Sequence, residues 1–378
     1  GEYGMIIALW KGEKIVEVVN IFQEALESKW QKLPTYRLLV IGESGVGKTT
    51  LIQSLFDLKK NESIPQFQVE EYSLLDEPPM TFNYDACIFC LNGSSDEFSL
   101  ETKETLLRIT NQLPTIVALT QSIGTKAEQF QSHLVDLSLP VKGIMNVMAV
   151  PYPIYESVHL PSFGLEELLD ILLECTTENT AETLVSLQKI DCKKKLYLAK
   201  KMVGAEMNRI FQTSTDARQV FRQIVEVLGK AFAYFGNQTE ANRMMEVLEN
   251  LYQRKYQSYQ ELCFVHQQPY YLAMVLSACC YSGIEMMALL SKKENSFTIQ
   301  ESSILLETKI ASRMKQGKHN AEVHAFIVKN ALVTEEQMMQ KPVIHVSMKK
   351  KNKLQQFQKK SRQWLHQSLD AFSKWARK

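Results

Sequence analysis

The sequence has few of the features that would place it at once in a class. Its 378 residues include only seven cysteines, an odd number at low density, which excludes a disulfide framework. It also lacks a run of about 18 uncharged apolar residues, which argues against a transmembrane helix. The most apolar stretch, 269–290, contains Ser277, Ser282 and Glu285. The early segment MIIALW is short and leads directly into charged residues, unlike a signal peptide, so we expect a cytoplasmic protein.

The cysteine pattern gives no metal site. Cys87 and Cys90 form a C-x-x-C, but they lie inside the apolar run YDACIFCLN and no second pair is nearby. A zinc site would need further ligands. We therefore interpret both as core thiols.

Charge is balanced overall but unevenly distributed. The chain has 43 Lys+Arg and 42 Asp+Glu, with 45% hydrophobic residues, so wholesale disorder is excluded. Residues 341–378, however, hold eleven basic residues and one acid, Asp370, which leaves +10 there and −9 on the rest of the chain.

Segment 350–378 reads as a basic amphipathic helix. It could contact an anionic membrane peripherally, bind an acidic protein partner or, least favoured, bind nucleic acid. Alternatively, it packs on this protein's own helices, which the opposite charge of the remaining chain favours. Its apolar residues lie near one helical face: Leu354, Phe357, Trp364, Leu365, Leu369, Phe372 and Trp375.

Strand and helix patterns alternate up to residue 174. An amphipathic helix is predicted within 1–33, and apolar runs predict strands at 36–42, 67–76, 85–91, 115–120 and 146–152. Between them, helices are predicted at 48–58, 99–112, 126–138 and 164–174. This alternation predicts an α/β domain over 34–175, with a mostly parallel sheet covered by helices on both faces.

After the polar segment 176–183, the pattern becomes helical. We predict an all-α domain over 176–342 and a basic amphipathic C-terminal helix over 343–378. Apolar residues recur at spacings of three and four, as is typical of a bundle core. The predicted helices are 181–212, 216–236, 239–265, 269–292, 300–316, 320–340 and 352–377.

The most specific motif is GESGVGKT at 42–49, which matches G-x-x-x-x-G-K-[ST] with an apolar strand before it and the helix TLIQSLF after it. Glycines let the backbone wrap a phosphate, and N–H groups at a helix N-terminus favour anions. Lys48 can reach the β- and γ-phosphates, and the Thr49 hydroxyl can ligate Mg²⁺. The candidate phosphate-binding residues are Gly42, Gly45, Val46, Gly47, Lys48, Thr49 and Thr50.

An acidic side chain at the end of a neighbouring strand is also expected to meet the metal ion. Asp76, which ends the run EEYSLLD, is the candidate, with Thr49 as the other metal residue. An aspartate before Pro78-Pro79 also suits a turn.

The order of these elements resembles a small G domain of the translation-factor-related class. Over roughly 14–174 the chain is similar to bacterial Era-like GTPases with a C-terminal helical region and to immunity-related GTPases. The resemblance implies GTP or GDP with Mg²⁺ as ligands. It also implies a helical domain that responds to the nucleotide state and contacts a protein partner.

The chain departs from this family at the base-reading motif, [NT]-K-x-D. Thr120 and Gln121 fit its first half loosely and are candidate nucleotide-binding residues, but Ile123 stands where the aspartate is expected. The carboxylate that would pair with guanine is therefore missing, which leaves adenine and guanine both open.

The switch elements also depart from the family. Pro79 stands at the glycine of D-x-x-G and offers no N–H. Only residues 59–68 separate the phosphate-loop helix from the next strand, which is too short for the family's first switch segment and an edge strand. Ser63 is the one hydroxyl residue there that could replace the metal-binding threonine. Glu77 and Gln66 are weak candidates to orient water, so the catalytic residues stay unassigned. Two hypotheses follow: a divergent NTPase with weak activity, or a pseudo-GTPase scaffold acting through protein or membrane contacts.

Overall fold

A computed structural model describes residues 15–56, 64–76, 82–95, 97–155, 158–213, 217–235, 242–244, 246–247, 250–251, 281–290 and 296–317. The chain divides into two compact units: Gln31–Asp191, and Gly1–Trp30 together with Cys192–Lys378. The predicted basic tail, the helices at 320–340 and 352–377 and most of 239–280 lie outside the described residues. So do Ser63, Glu77 and Pro79.

The first unit contains a parallel sheet of five strands in the order β2-β1-β3-β4-β5, which confirms the predicted fold class. Its inner strands are continuous apolar runs because both faces are covered. The strands are β1 (Tyr36–Gly42), β2 (Phe67–Ser73), β3 (Ala86–Asn92), β4 (Thr115–Thr120) and β5 (Gly143–Asn146).

Helices cover both faces of this sheet. Alternate strand residues point to opposite faces, so Leu39 and Ile41 join a core with residues of α3 and α4, including Leu106 and Leu134. Helices α2, α5 and α6 contact β1 or β4. The helices are α2 (Lys48–Leu55), α3 (Leu100–Thr110), α4 (Gly124–Asp136), α5 (Leu165–Glu174) and α6 (Glu178–Leu187), and α1 (Ile15–Lys32) precedes the sheet.

The strand predicted at 146–152 is wrong, because β5 ends at Asn146. Pro151 has no N–H to continue a ladder, and the chain leaves the sheet to form an antiparallel hairpin of β6 (Tyr152–Tyr155) and β7 (Val158–Leu160). Met148 and Phe163 close this excursion through two backbone hydrogen bonds of 3.0 Å each.

The single helix predicted at 181–212 is also wrong, because it is two helices, α6 and α7 (Cys192–Thr213). They are separated at Gln188, whose fully buried side chain accepts hydrogen bonds from the N–H groups of Ile190 and Asp191, each at 2.7 Å. A glutamine that bonds its own local backbone offers an alternative to the helix ladder.

The second unit is helical where it is described. It contains most of α1, then α7, α8 (Ala217–Phe232), a 3₁₀ turn at Ala233–Phe235, helical residues 281–290 and α9 (Ile299–Gly317). Phe22 of α1 packs edge-to-face on Phe232 of α8, with ring centroids 5.0 Å apart. Among the described residues, no helix is long and apolar enough to cross a membrane.

An ionic cluster ties three helical segments of this unit together. The Lys200 ammonium, on α7, is 2.9 Å from a Glu285 carboxylate oxygen and only 1% exposed. Two cations of α9 join it: Arg313 bonds the same oxygen, and Lys309 Nζ lies 3.6 Å from the other. Burial opposes ionisation of Glu285, but the hydrogen bond from Lys200 and the charge of Arg313 outweigh it and lower its pKa.

Candidate functional site

The phosphate-loop motif connects the carboxyl end of β1 to the N-terminus of α2. Strand β1 lies between β2 and β3, so the strand order reverses beside it. Ligands of open parallel sheets bind in the crevice at such a reversal, outside the carboxyl ends of the strands. The predicted residues 42–50 therefore stand at the place in the fold that suits a ligand best.

Glycines shape this loop in two ways. Gly45 and Gly47 have φ angles of 77° and 96°, in the left-handed region that side chains rarely adopt. Gly42 is different, because an added Cβ would lie 2.6 Å from the backbone oxygen of Cys90. The loop thus depends on glycine both for its turn and for its close packing on β3.

The two functional side chains of the motif face different partners. Lys48 Nζ donates to the backbone oxygens of Gly42 at 2.9 Å and Glu43 at 2.8 Å, which folds the lysine back across the loop. Thr49 Oγ1 is exposed and lies 2.8 Å and 3.1 Å from the two carboxylate oxygens of Glu71 on β2. Thr50 follows on the exposed first turn of α2.

Glu71 contacts the candidate site through Thr49, although the sequence interpretation did not select it. The predicted metal-side carboxylate, Asp76, instead accepts a hydrogen bond from Ser73 N at 3.0 Å in the turn after β2, so its carboxylate serves that turn. Strand register places Ser73 beside Gly42 and Glu71 beside Val40. The sequence signal for Glu71 is its place in the strand pattern at 67–76, which it shares with Glu70, so the sequence alone does not select it.

Thr120 and Gln121 support the phosphate loop from β4. Thr120 is buried, and its Oγ1 lies 2.5 Å from the backbone oxygen of Val46 and 3.1 Å from that of Leu91. Gln121, which has a positive φ of 54°, donates from Nε2 to the Gly45 oxygen at 3.2 Å. Thr120 therefore acts on the loop from behind, whereas the exposed Gln121 flanks it.

A chain of polar contacts joins the ends of β4 and β5. Ser122 Oγ lies 2.9 Å from Asn146 Oδ1, and Asn146 Nδ2 donates to Gln131 Oε1 at 2.7 Å. Gln131 Nε2 in turn donates to the Ile144 oxygen at 2.8 Å. Beside this network, Ile123 leaves 40% of its surface exposed.

The weak catalytic candidate Gln66 lies elsewhere. Its backbone oxygen accepts from the N–H of Tyr36, the first residue of β1, and its side chain is buried. This is the amino end of the strands, opposite the phosphate loop, so Gln66 cannot orient water there.

No family model matches the chain, and no curated protein matches it either. Among solved structures, a probable GTP-binding protein engB is 17% identical, with 37% of this chain and 97% of that chain covered and a TM-score of 0.25.

The cytosolic domain of the T. maritima FeoB iron transporter is similar in two forms, each 13% identical over 79% of this chain. In GDP form I, 97% of that chain is covered at a TM-score of 0.26, and in the GMPPNP form 98% at 0.27. What stands on this chain's own geometry is a phosphate-loop motif on a five-stranded parallel sheet, and membership of the Era-like or immunity-related classes stays a prediction.

Proposed function

We propose that the chain binds a purine nucleoside di- or triphosphate with Mg²⁺, in the manner of a GTPase. The observation that carries this is the loop 42–49, with two left-handed glycines, Lys48 and Thr49, at the sheet's strand reversal. Backbone N–H groups at the start of α2 would hold the phosphates, and Lys48 would exchange its two carbonyl acceptors for phosphate oxygens.

We assign the metal side to Thr49 and Glu71. When a threonine hydroxyl donates its proton to a carboxylate, its oxygen lone pairs remain available to a cation. Mg²⁺ prefers oxygen ligands of this kind, together with carboxylates. Glu71 already lies 2.8 Å from that hydroxyl, whereas the Asp76 carboxylate is engaged in its turn. Bound Mg²⁺ would supply charge neutralisation for the phosphates.

Binding is tested by calorimetry with GTP, GDP, ATP and ADP, each with Mg²⁺. We expect Lys48→Ala to weaken triphosphate binding at least about tenfold, because it removes a charge-assisted phosphate contact, and Lys103→Ala on α3 to leave it unchanged. Glu71→Gln should weaken the Mg²⁺ dependence of binding, and Asp76→Asn should not. If none of the four nucleotides binds, the proposal is wrong.

A nucleotide-binding scaffold without turnover is the second candidate. It is favoured by the position of Gln66 at the opposite end of the sheet, which removes one of the two candidates for the water-orienting group that phosphoryl transfer needs. The other candidate, Glu77, lies outside the described residues. A phosphate-release assay on the Mg²⁺–nucleotide complex separates the two: release that is lost in Lys48→Ala supports an enzyme, and none above background supports the scaffold.

We infer further that the nucleotide state is coupled to the helical unit through residues 183–191. The end of the phosphate-loop helix bonds this segment directly: Lys189 N donates to the Leu55 oxygen at 2.9 Å, and Phe56 pairs with Gln188. Gln188 then holds the N–H groups of Ile190 and Asp191, immediately before α7 begins at Cys192.

The same segment also bonds the backbone just after α1, near the point where the chain first passes from the helical unit into the sheet unit. Thr183 Oγ1 donates to the Pro34 oxygen at 2.7 Å, just after α1. A displacement of α2 on phosphate binding would therefore act on the starts of both connections to the helical unit.

Hydrogen exchange with and without Mg²⁺–nucleotide tests the coupling. We expect nucleotide to increase protection in α2 and at the start of α7. In Gln188→Ala the α7 effect should disappear while the α2 effect persists, and Gln131→Ala, which loses a glutamine elsewhere in the unit, should retain both. Persistence of the α7 effect in Gln188→Ala would refute the route.

A further inference from the structure

The ionic cluster of the helical unit holds more positive than negative charge. Lys200 of α7 and two cations of α9, Lys309 and Arg313, all contact the carboxylate of Glu285. With the four groups ionised, three cations face one anion, which leaves a net charge of +2. The proposed nucleotide site uses none of these residues.

The three helical segments that form the cluster do not balance this charge elsewhere. Together α7, residues 281–290 and α9 contain nine basic and four acidic residues, although residues 1–340 as a whole carry −9. Of the acids, Glu206 bonds Arg209, and Glu301 bonds the N–H and hydroxyl of Thr298. Positive charge is therefore concentrated at this point of an otherwise acidic body.

Arg313 is held in place on two sides. Its guanidinium bonds Glu285, and its Cζ lies 5.6 Å from the centroid of the Tyr281 ring, one turn earlier in the same segment. A guanidinium has five N–H donors in a planar fork that matches phosphate oxygens. Because packing already fixes this fork, an anion that binds it would lose little free energy to ordering the side chain.

The cations differ in their access to solvent. The side chains of Arg313 and Lys309 are each 29% exposed, whereas that of Lys200 is 1% exposed. Burial lowers the pKa of Lys200, and the charges of Arg313 and Lys309 lower it further, although Glu285 opposes both effects. An anion at the two exposed cations would therefore relieve repulsion among all three.

We propose that Arg313 and Lys309 bind a small soluble compound with a dianionic phosphate group, and that Lys200 adds its charge from the buried side. A phosphate monoester carries about −1.5 to −2 near neutral pH, which matches the excess of the cluster, whereas a single carboxylate would leave it positive. Charges in a partly desolvated cluster also attract such an anion more strongly than charges in open water.

Hydrogen exchange of the full chain with inorganic phosphate tests this. The chain carries Lys48→Ala, so that the contact proposed for the phosphate loop is removed, and the reference is sodium chloride at the same pH and ionic strength. We expect phosphate to increase protection in α9 and in residues 281–290. The dependence on phosphate concentration gives the dissociation constant.

Variants in the same Lys48→Ala chain assign the site. Arg313→Gln should weaken phosphate binding at least about tenfold, the scale of a charge-assisted hydrogen bond. Arg313→Lys keeps a cation beside Glu285, so it retains the fold if Arg313→Gln does not, and it should also weaken binding because the fork is lost. Glu285→Gln should tighten binding, since it removes the competing negative charge.

The matched control is Arg209→Gln. Arg209 lies in the same unit, is 54% exposed and pairs with Glu206 alone among the contacts described, so its loss should leave phosphate binding unchanged.

Three outcomes would overturn the inference. The first is equal protection of α9 in phosphate and in chloride. The second is a folded Arg313→Lys or Arg313→Gln chain that binds phosphate as tightly as its parent. The third is protection of α9 by vesicles containing phosphatidate but not by inorganic phosphate, which would replace the soluble ligand with a lipid. Because Lys48 is absent throughout, failure here leaves the proposed nucleotide site untouched.

Discussion

At the scale of single residues, burial decides how the cysteines behave. Cys87 and Cys90 are fully buried on β3 and are free thiols. Burial raises the pKa of both thiols, that of Cys90 to about 12. Because the thiolate is the reactive form, both should stay protonated and inert near neutral pH, as expected of core thiols.

We predict slow alkylation of Cys87 and Cys90 in the native protein at pH 8. Cys175 and Cys192, which are half-buried, should react faster because reagent can reach them. Site-resolved mass spectrometry after iodoacetamide treatment measures this, and a guanidinium-unfolded sample gives the rate without burial. Native Cys87 reacting as fast as Cys175 would contradict the prediction.

The phosphate loop could be predicted from the residues alone because its glycines, lysine and threonine are adjacent in sequence. Glu71 could not, because its role depends on a contact with Thr49 across two elements. In the run QVEEYS, Glu70 and Glu71 both look like solvated strand residues. Only the register of β2 on β1 shows which of the two glutamates lies on the side of Thr49.

At the scale of elements, close approach of helices fixes the glycine of α8. A Cβ on Gly229 would lie 2.3 Å from the Phe22 backbone oxygen on α1. Gly204 on α7 has more room, since its nearest neighbour is Tyr281 Oη at 3.5 Å. The same residue type therefore has opposite consequences in two helices of one unit.

We predict that Gly229→Ala destabilises the protein by about 1–3 kcal/mol, because the added methyl forces α1 and α8 apart. Gly204→Ala should stabilise it by up to about 1 kcal/mol through helix propensity. Urea unfolding of both variants measures the difference, and a stabilised Gly229→Ala would show that the helices do not meet there.

The Glu285 cluster makes a second prediction for helix packing. Glu285→Ala should lower the free energy of unfolding by about 3–5 kcal/mol, because removing one partner leaves the buried Lys200 ammonium without this carboxylate. Circular dichroism during urea unfolding at pH 7 measures it, with Glu104→Ala at an exposed position of α3 as the control.

The pH dependence has a defined sign. The pKa of Glu285 is lowered in the folded protein, so its contribution to stability is present above the ordinary glutamate pKa of about 4.3 and is lost as pH falls through the lower folded value. The gap between wild type and Glu285→Gln should therefore narrow below about pH 4. A gap that does not change from pH 7 to pH 3 would contradict this.

Element prediction succeeded where one periodicity dominated. Strand β4 and helix α9 agree with their predicted bounds to within one residue because apolar spacing determines them. The errors at 146–152 and 181–212 arise where a local group overrides the pattern: Pro151 blocks the ladder, and the Gln188 side chain captures the backbone.

At the scale of the whole molecule, charge is separated along the chain. Residues 341–378 carry +10 and the others −9, and opposite charges attract within about 8 Å at physiological salt. We predict that the full chain and a chain lacking 350–378 pellet equally with anionic vesicles, because we expect the opposite charge of the remaining chain to neutralise the tail. Pelleting that depends on the tail would favour a peripheral membrane contact instead, and neutral vesicles provide the control.

The division into units has a consequence for synthesis. The helical unit takes residues from both sides of Gln31–Asp191, and Phe22 reaches its partner Phe232 across about 210 residues of chain. At roughly 5–20 residues per second, a ribosome needs about 10–40 s to make that stretch. During this interval the sheet unit can fold, but the partners of α1 in the helical unit have not yet been synthesised. The apolar face of α1 therefore stays exposed on the nascent chain, where it is open to aggregation or to binding by a chaperone.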